Sequence, residues 1–232
     1  MVTAAAAVAD VRRGSSIAVG GCGIGGGDSR LVQALHDSGV GDLRIVSDYS
    51  GLVDWGLDPL ISDGQVRRVI AQDVGENTEI ARKYLGGELE VELTSRDTLV
   101  QRLRAGGRGV RAFYAPEASV RQRSVDDRPW KHDTAGGVSI APPRKDVRKI
   151  CGTAYILERG ITTDFALIRA WKGDRHGNLI YRESDRELNS LFVLSSGVTI
   201  VEIEELVEPD DLDPDSVHTP SALVHRLTIL GS

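Results

Sequence analysis

Cysteine, long apolar runs and an excess of positive charge are all scarce or missing in this chain, and each shortage removes a class of protein. Only two of the 232 residues are cysteines, Cys22 and Cys151. Two such distant thiols make no disulfide scaffold, and without a CxxC pair there is no pattern for structural zinc, so a reducing compartment fits. The five histidines form no ligand-spaced cluster, and no metal is expected. No apolar run approaches the roughly 20 residues that span a bilayer. The opening MVTAAAAVADVRRG has no basic residue ahead of its Ala/Val stretch, so it reads as an N-terminal helix rather than a signal peptide. Lys and Arg number 28 against 34 Asp and Glu, a net charge of −6, which argues against a general nucleic-acid surface. The expectation is a cytoplasmic protein with neither a membrane nor a nucleic-acid partner.

What the chain does have is an ordinary globular composition, 41% hydrophobic and 27% charged, and enough length to bury a substantial core. Apolar runs of strand length alternate with helical spacing. Ser16 to Val19, "LRIVSD" at 43–48, "QVRRVIAQ" at 65–72 and "LEVEL" at 89–93 read as strands. Between them "SRLVQALHDSGV" puts Leu31, Val32, Ala34 and Leu35 on one helical face with Gly39 as its stop, and helices follow at 78–85 and 96–107. This alternation predicts an α/β fold on an open, largely parallel sheet flanked by helices. A charged, Pro- and Gly-containing excursion at about 119–149 is expected to be an irregular insertion in a single domain over 1–232. Strands are expected again at "TAYILE", "FALIRAW", "NLIYRE" and "VTIVEIEEL", and the acidic "EIEELVEPDDLDPD" reads as a solvated turn.

The densest local signal is "GGCGIGGGD", residues 20–28, directly after the first strand. Gly21, Gly23 and Gly26 satisfy GxGxxG, and Asp48 ends the next strand, as dinucleotide binding requires. The same glycines serve any ligand that must approach backbone amides closely, or simply a tight strand-to-helix turn. No Gly-Lys-Ser/Thr follows, so a phosphate-cradling P-loop is disfavoured. Cys22 has a reactive-thiol reading and a space-filling one. His176, in "GDRHGN", reads as a turn residue.

Over nearly the whole chain, excepting the excursion, the stretches "GSSIAVGGCGIGGG", "VSDYSG", "DWGLDPLISDGQVRRVIAQDVGEN", "LVQRLRAGGRGVRAFYAP", "YILERGITTDFALIRAWKGDRHGNLIYRES" and "VEIEELVEPDDLDPDSVHTP" resemble the A (alpha) subunit of family I CoA-transferases. The likeness is nearest to those that act on 3-oxoacids with succinyl-CoA. The resemblance implies coenzyme A as a substrate, no tightly bound cofactor, and a B (beta) subunit that supplies the nucleophilic glutamate within Ser-Glu-Asn-Gly, in an α2β2 assembly. It implies no catalytic nucleophile in this chain. Gly20, Gly21, Cys22, Gly23, Gly25 and Gly26 become the loop along which thioester and oxyanion reach backbone amides. Asp48, Tyr49 and Ser50 become acyl-substrate residues, with Glu76 and Asn77 of "GEN" as further candidates.

The sequence departs from the family pattern in several places. Arg13-Gly14 replaces an opening Asp-Gly, Cys22 stands for phenylalanine, and Asp28-Ser29 stands for Pro-Glu. Asp48 and Tyr49 stand for paired asparagines, and "RESDRELNSLF" replaces a Thr and Ala-Arg-Asn-Phe-Asn-Pro stretch. A carboxylate at 48 disfavours a second negative charge on the acyl group. These changes keep two other readings open: a CoA-ester hydrolase or C–C cleaving enzyme on the same scaffold that acts on a larger or ring-derived acyl-CoA, and, more distantly, a dinucleotide-binding sensor.

Overall fold

The computed structural model describes residues 1–20, 29–49, 56–73, 77–117, 128–182 and 185–230. Its central sheet is built from β1 (Ser16–Gly20), β2 (Leu43–Tyr49), β3 (Val66–Asp73), β4 (Glu90–Leu93), β10 (Thr163–Asp174), β12 (Ser196–Val207) and β13 (Arg226–Ile229). These strands lie in the order β13-β12-β10-β1-β2-β3-β4. All six neighbouring pairs along this path are parallel, and the short β11 (Leu179–Ile180) turns back antiparallel on β10. Parallel strands are buried on both faces, which is why Ile17–Val19 of β1 and Phe165–Ile168 of β10 are continuous apolar runs.

Helices cover each face. On one side α1 (Ala4–Val8), α2 (Arg30–Asp37), α3 (Asp58–Ser62) and α4 (Thr78–Leu85) pack Val8, Leu31, Leu35, Leu60 and Ile80 against Ile17, Ile45 and Leu167. On the other, α5 (Arg96–Gly107) and the helix Asp185–Leu194, here α6, pack Leu99, Leu103, Leu191 and Phe192 against Ala18, Val46 and Val201. The local signals explain the boundaries. Ser29, Asn77 and Ser95 accept backbone N–H groups as N-caps of α2, α4 and α5, and Gly39 takes φ +68° just beyond α2. Gly106 near the end of α5 lies so close to Ile161 that a Cβ would sit 1.8 Å from its carbonyl oxygen.

Outside this sheet, β5 (Ala112–Pro116), β9 (Thr153–Arg159) and β8 (Val147–Ile150) form an antiparallel sheet, and β6 (Lys131–His132) pairs with β7 (Val138–Ile140). The excursion at 119–149 therefore carries short strands where no regular structure was expected. Every residue of β8 is exposed, so no face is selected for apolar residues and the period-2 signal is missing. Two more differences concern the C-terminal third. "NLIYRE" contributes only the two-residue β11, because Tyr181 leaves the sheet to bond Thr219 (2.8 Å). The acidic stretch expected to be a solvated turn divides: "EIEELV" completes β12 with Glu202 and Ile203 fully buried, and only Pro209–Asp211 and Pro214–Ser216 are short 3-10 turns. Among the described residues no helix is long and apolar enough to cross a membrane.

Candidate active site

From β1 the chain runs outward to β2, β3 and β4, then returns to the far side of β1 as β10. Such a reversal opens a crevice beyond the carboxyl ends of the central strands, the place where ligands bind in open parallel sheets. β1 ends here at Gly20. Gly20, the last residue of β1, has no room for a side chain: a Cβ would lie 2.1 Å from Asn189 Oδ1 and 2.9 Å from the Phe192 ring on α6. Asn189 is held in turn by its amide's bond to the Arg169 carbonyl (3.1 Å). Gly21, Cys22, Gly23, Gly25 and Gly26 lie outside the described residues, as do Ser50 and Glu76.

Asp48 stands next to this exit. Val19 pairs with Ser47 across β1 and β2, so Asp48 is level with Gly20. Like Ala18 and Val46 it faces α5 and α6. There Arg96, at the start of α5, approaches its Oδ2 at 3.9 Å and makes a closer ion pair, 3.1 Å, with Glu187 of α6. Asp48 Oδ1 is buried and, among the described residues, has no hydrogen-bond partner. Burial pushes the Asp48 carboxyl above its usual range, Arg96 opposes the rise and Glu187 adds to it. Two carboxylates thus share one guanidinium close to the carboxyl end of β1. Tyr49 continues β2 and pairs with Asp73.

Asn77 is placed differently. It is buried, its side-chain Oδ1 accepts the backbone amides of Glu79 and Ile80 at 3.0 Å, and its Nδ2 donates to Asp58 Oδ1 at 2.7 Å. All of these are structural bonds that begin α4 and tie it to α3. His176 sits in the turn after β10, where Asp174 accepts the N–H groups of His176, Gly177 and Asn178.

Sequence reasoning missed Arg96 and Glu187. Arg96 follows the N-cap Ser95, a signal of helix start that says nothing of where a side chain reaches. Glu187 belongs to a helix for which no expectation was made. An apolar pocket of about 230 Å³ lined by Ile80, Tyr84, Leu85, Val91 and Leu93 lies at the β4 edge and holds none of the predicted residues. Among the described residues no group of three or more His, Cys, Asp or Glu is placed to hold a metal ion.

A mostly parallel sheet flanked by helices on both faces, with β1 ending at a topological switch point, defines an α/β protein, and comparison narrows the class: residues 1–229 match the Coenzyme A transferase family, to which this chain belongs. It is 50% identical over 227 residues to the A chain of a probable succinyl-CoA:3-ketoacid coenzyme A transferase of Mycobacterium tuberculosis, covering 98% of this chain and 92% of that one. A human mitochondrial succinyl-CoA:3-ketoacid coenzyme A transferase 2 is 40% identical over 220 residues, 95% of this chain but 43% of the human protein. Among solved structures, an Escherichia coli O157:H7 acyl-CoA transferase in a thioester complex with CoA superposes with a TM-score of 0.78 at 19% identity, covering 99% of this chain and 46% of that one. At that identity the likeness is one of fold.

Proposed function

We propose that the chain is the alpha component of a CoA-transferase that exchanges CoA between an acyl-CoA thioester and a 3-ketoacid. The observation that carries this is the 50% identity to the corresponding mycobacterial chain along almost the entire length of both. The glycine segment at the switch point agrees with it. In the proposed reaction a glutamate of the partner B subunit forms a C–O bond to the thioester carbonyl carbon and the C–S bond breaks, releasing CoA thiolate. The thiolate attacks the glutamyl carbonyl of the resulting anhydride, expelling the donor acid and leaving a glutamyl-CoA thioester. The acceptor carboxylate then reverses these steps. Each passes through a tetrahedral oxyanion, and the role of this chain is to offer backbone amides between Gly20 and Gly26 to that charge.

Asp48, with Tyr49 and Ser50, lines the acyl end in this reading, and Arg96 balances the Asp48 charge. CoA enters as a substrate, no resident cofactor is needed, and assembly with the B subunit into α2β2 in the cytoplasm completes the enzyme. The test uses the co-purified subunits and a CoA ester labelled in its CoA portion. Label is expected to move to an added 3-ketoacid, with no free CoA accumulating in its absence. Free CoA and acid appearing without an acceptor would mean hydrolysis instead. Gly23→Val, well folded by circular dichroism, is expected to lower turnover about 100-fold by displacing the ester from the amides. Wild-type rates in that variant would remove the loop from the mechanism.

A further inference from the structure

The fold leaves the charge of Arg96 underused. This residue opens α5 directly after the N-cap Ser95, and its side chain reaches toward Asp48 on β2 and Glu187 on α6. Neither contact is a closely made pair. The Asp48 carboxylate lies 3.9 Å away, beyond hydrogen-bond reach, and the Glu187 contact at 3.1 Å joins side chains that are 40% and 47% exposed. A guanidinium carries more N–H donors than two such contacts use, and Asp48 Oδ1 has no hydrogen bond among the described residues either. Arginines that tie elements together in this molecule are bonded more tightly. Arg102 donates to Glu92 at 2.6 Å and to the Arg159 carbonyl at 3.0 Å, and Arg226 donates to both oxygens of Asp10 at 2.6 and 2.7 Å.

Position gives the unused donors a purpose. Val19 pairs with Ser47, so Asp48 and the guanidinium beside it lie close to the carboxyl end of β1. That strand stands at the switch point between β2 and β10, and ligands of open parallel sheets bind beyond such strand ends. Two carboxylates around one guanidinium leave the trio with an excess of negative charge. A further anion is therefore repelled, whereas a neutral oxygen can still accept from the guanidinium. We propose that Arg96 is a specificity-determining residue for CoA transfer: its guanidinium donates a hydrogen bond to the 3-oxo oxygen of the ketoacid chain and so sorts 3-ketoacids from plain carboxylic acids. This rests on the proposed exchange of CoA with a 3-ketoacid and on the placement of Asp48, Arg96 and Glu187. Asp48 and Glu187 anchor the guanidinium from β2 and α6 without satisfying it. A site that completes its hydrogen bonds through a substrate oxygen rejects the analogue lacking that oxygen, because the donor is then left unmatched.

The test uses the two-subunit enzyme with one CoA ester as donor and two acceptors of equal chain length, 3-oxobutanoate and butanoate. Arg96→Met keeps an unbranched stem and removes the donors. It is expected to lower kcat/KM for 3-oxobutanoate about 30-fold, as loss of a hydrogen bond from a charged donor implies, and to leave butanoate within about threefold of wild type. Arg96→Lys retains a charged donor without the planar fork, and its preference for 3-oxobutanoate should stay within about fivefold of wild type. Partly exposed ion pairs add little to stability, so the melting midpoint of either variant should move by less than about 4 °C. A well-folded Arg96→Met enzyme with the wild-type preference would overturn the proposal. So would equal losses with both acceptors, the mark of a contact to their shared carboxylate or of a purely structural group. Failure of the wider reading looks different: a wild-type enzyme that passes no CoA to 3-oxobutanoate removes both ideas, whereas normal transfer with a preference indifferent to Arg96 removes only the role given to that residue.

Discussion

At the scale of single residues, Asp48 shows how much of a site is legible in a sequence. Its place at the end of a strand beside a glycine turn follows from the spacing of apolar runs, and the structure puts it level with Gly20. The neighbours that determine its charge, Arg96 and Glu187, come from two helices far along the chain, and no local pattern announces them. In the proposed site, a second carboxylate on the acyl group would meet repulsion from Asp48, whose nearest cation, Arg96, lies 3.9 Å away. Asp48→Asn is expected to raise kcat/KM for CoA esters of dicarboxylic acids roughly tenfold relative to those of monocarboxylic acids. Steady-state kinetics with matched pairs of esters would measure it, and an unchanged ratio would place the acyl group elsewhere. Asn77 teaches the opposite lesson, since a polar residue after a strand reads equally as ligand or cap, and here every bond found for it is a capping or packing bond.

At the scale of elements, helix starts and central strands were readable because caps and apolar periodicity are local, whereas α6 and β13 were not. The moderate amphipathicity of α6 reflects contacts with both α5 and the sheet. A buried ionic junction illustrates packing that only three dimensions reveal. Glu92 of β4 binds Arg68 of β3 and, at 2.6 Å, Arg102 of α5, while Trp130 stacks on the Arg68 guanidinium at 4.4 Å from its centroid. Burial alone would raise the Glu92 carboxyl, but Arg102 and Arg68 together hold it below the usual glutamate range. A carboxyl lowered on folding contributes stability above its unfolded value, and that contribution disappears as pH falls through the folded one. Glu92→Gln is therefore expected to cost about 3 kcal/mol at pH 7, because two arginines lose a buried partner. The melting midpoint should drop by about 6–12 °C. The gap from wild type should close in acid, below about pH 4.5. A gap independent of pH would show that shape, not charge, is what Glu92 supplies.

At the scale of the whole molecule, this chain offers a crevice and amides but, in the proposed function, no nucleophile. Isolated chain should fold and show no transfer. Adding the B subunit is expected to restore turnover and raise the melting midpoint in proportion to the logarithm of partner concentration; a midpoint indifferent to the partner would argue against a stable pair. Apolar side chains on the exposed strand β8, Val147 and Ile150, leave surface that a larger assembly can use. By itself the sequence determined the alternation of strands and helices, the parallel sheet, the glycine exit from β1 and the likeness to the alpha chains of CoA-transferases, because each is carried by short-range spacing or by ordered stretches along the chain. Only the tertiary structure decided that an acidic strand buries Glu202 beneath α2, that Arg96 spans Asp48 and Glu187, and that Asn77 caps a helix. Which strands become neighbours is set by crossovers of many residues, and a side chain's partners are fixed by that pairing rather than by the residues on either side of it.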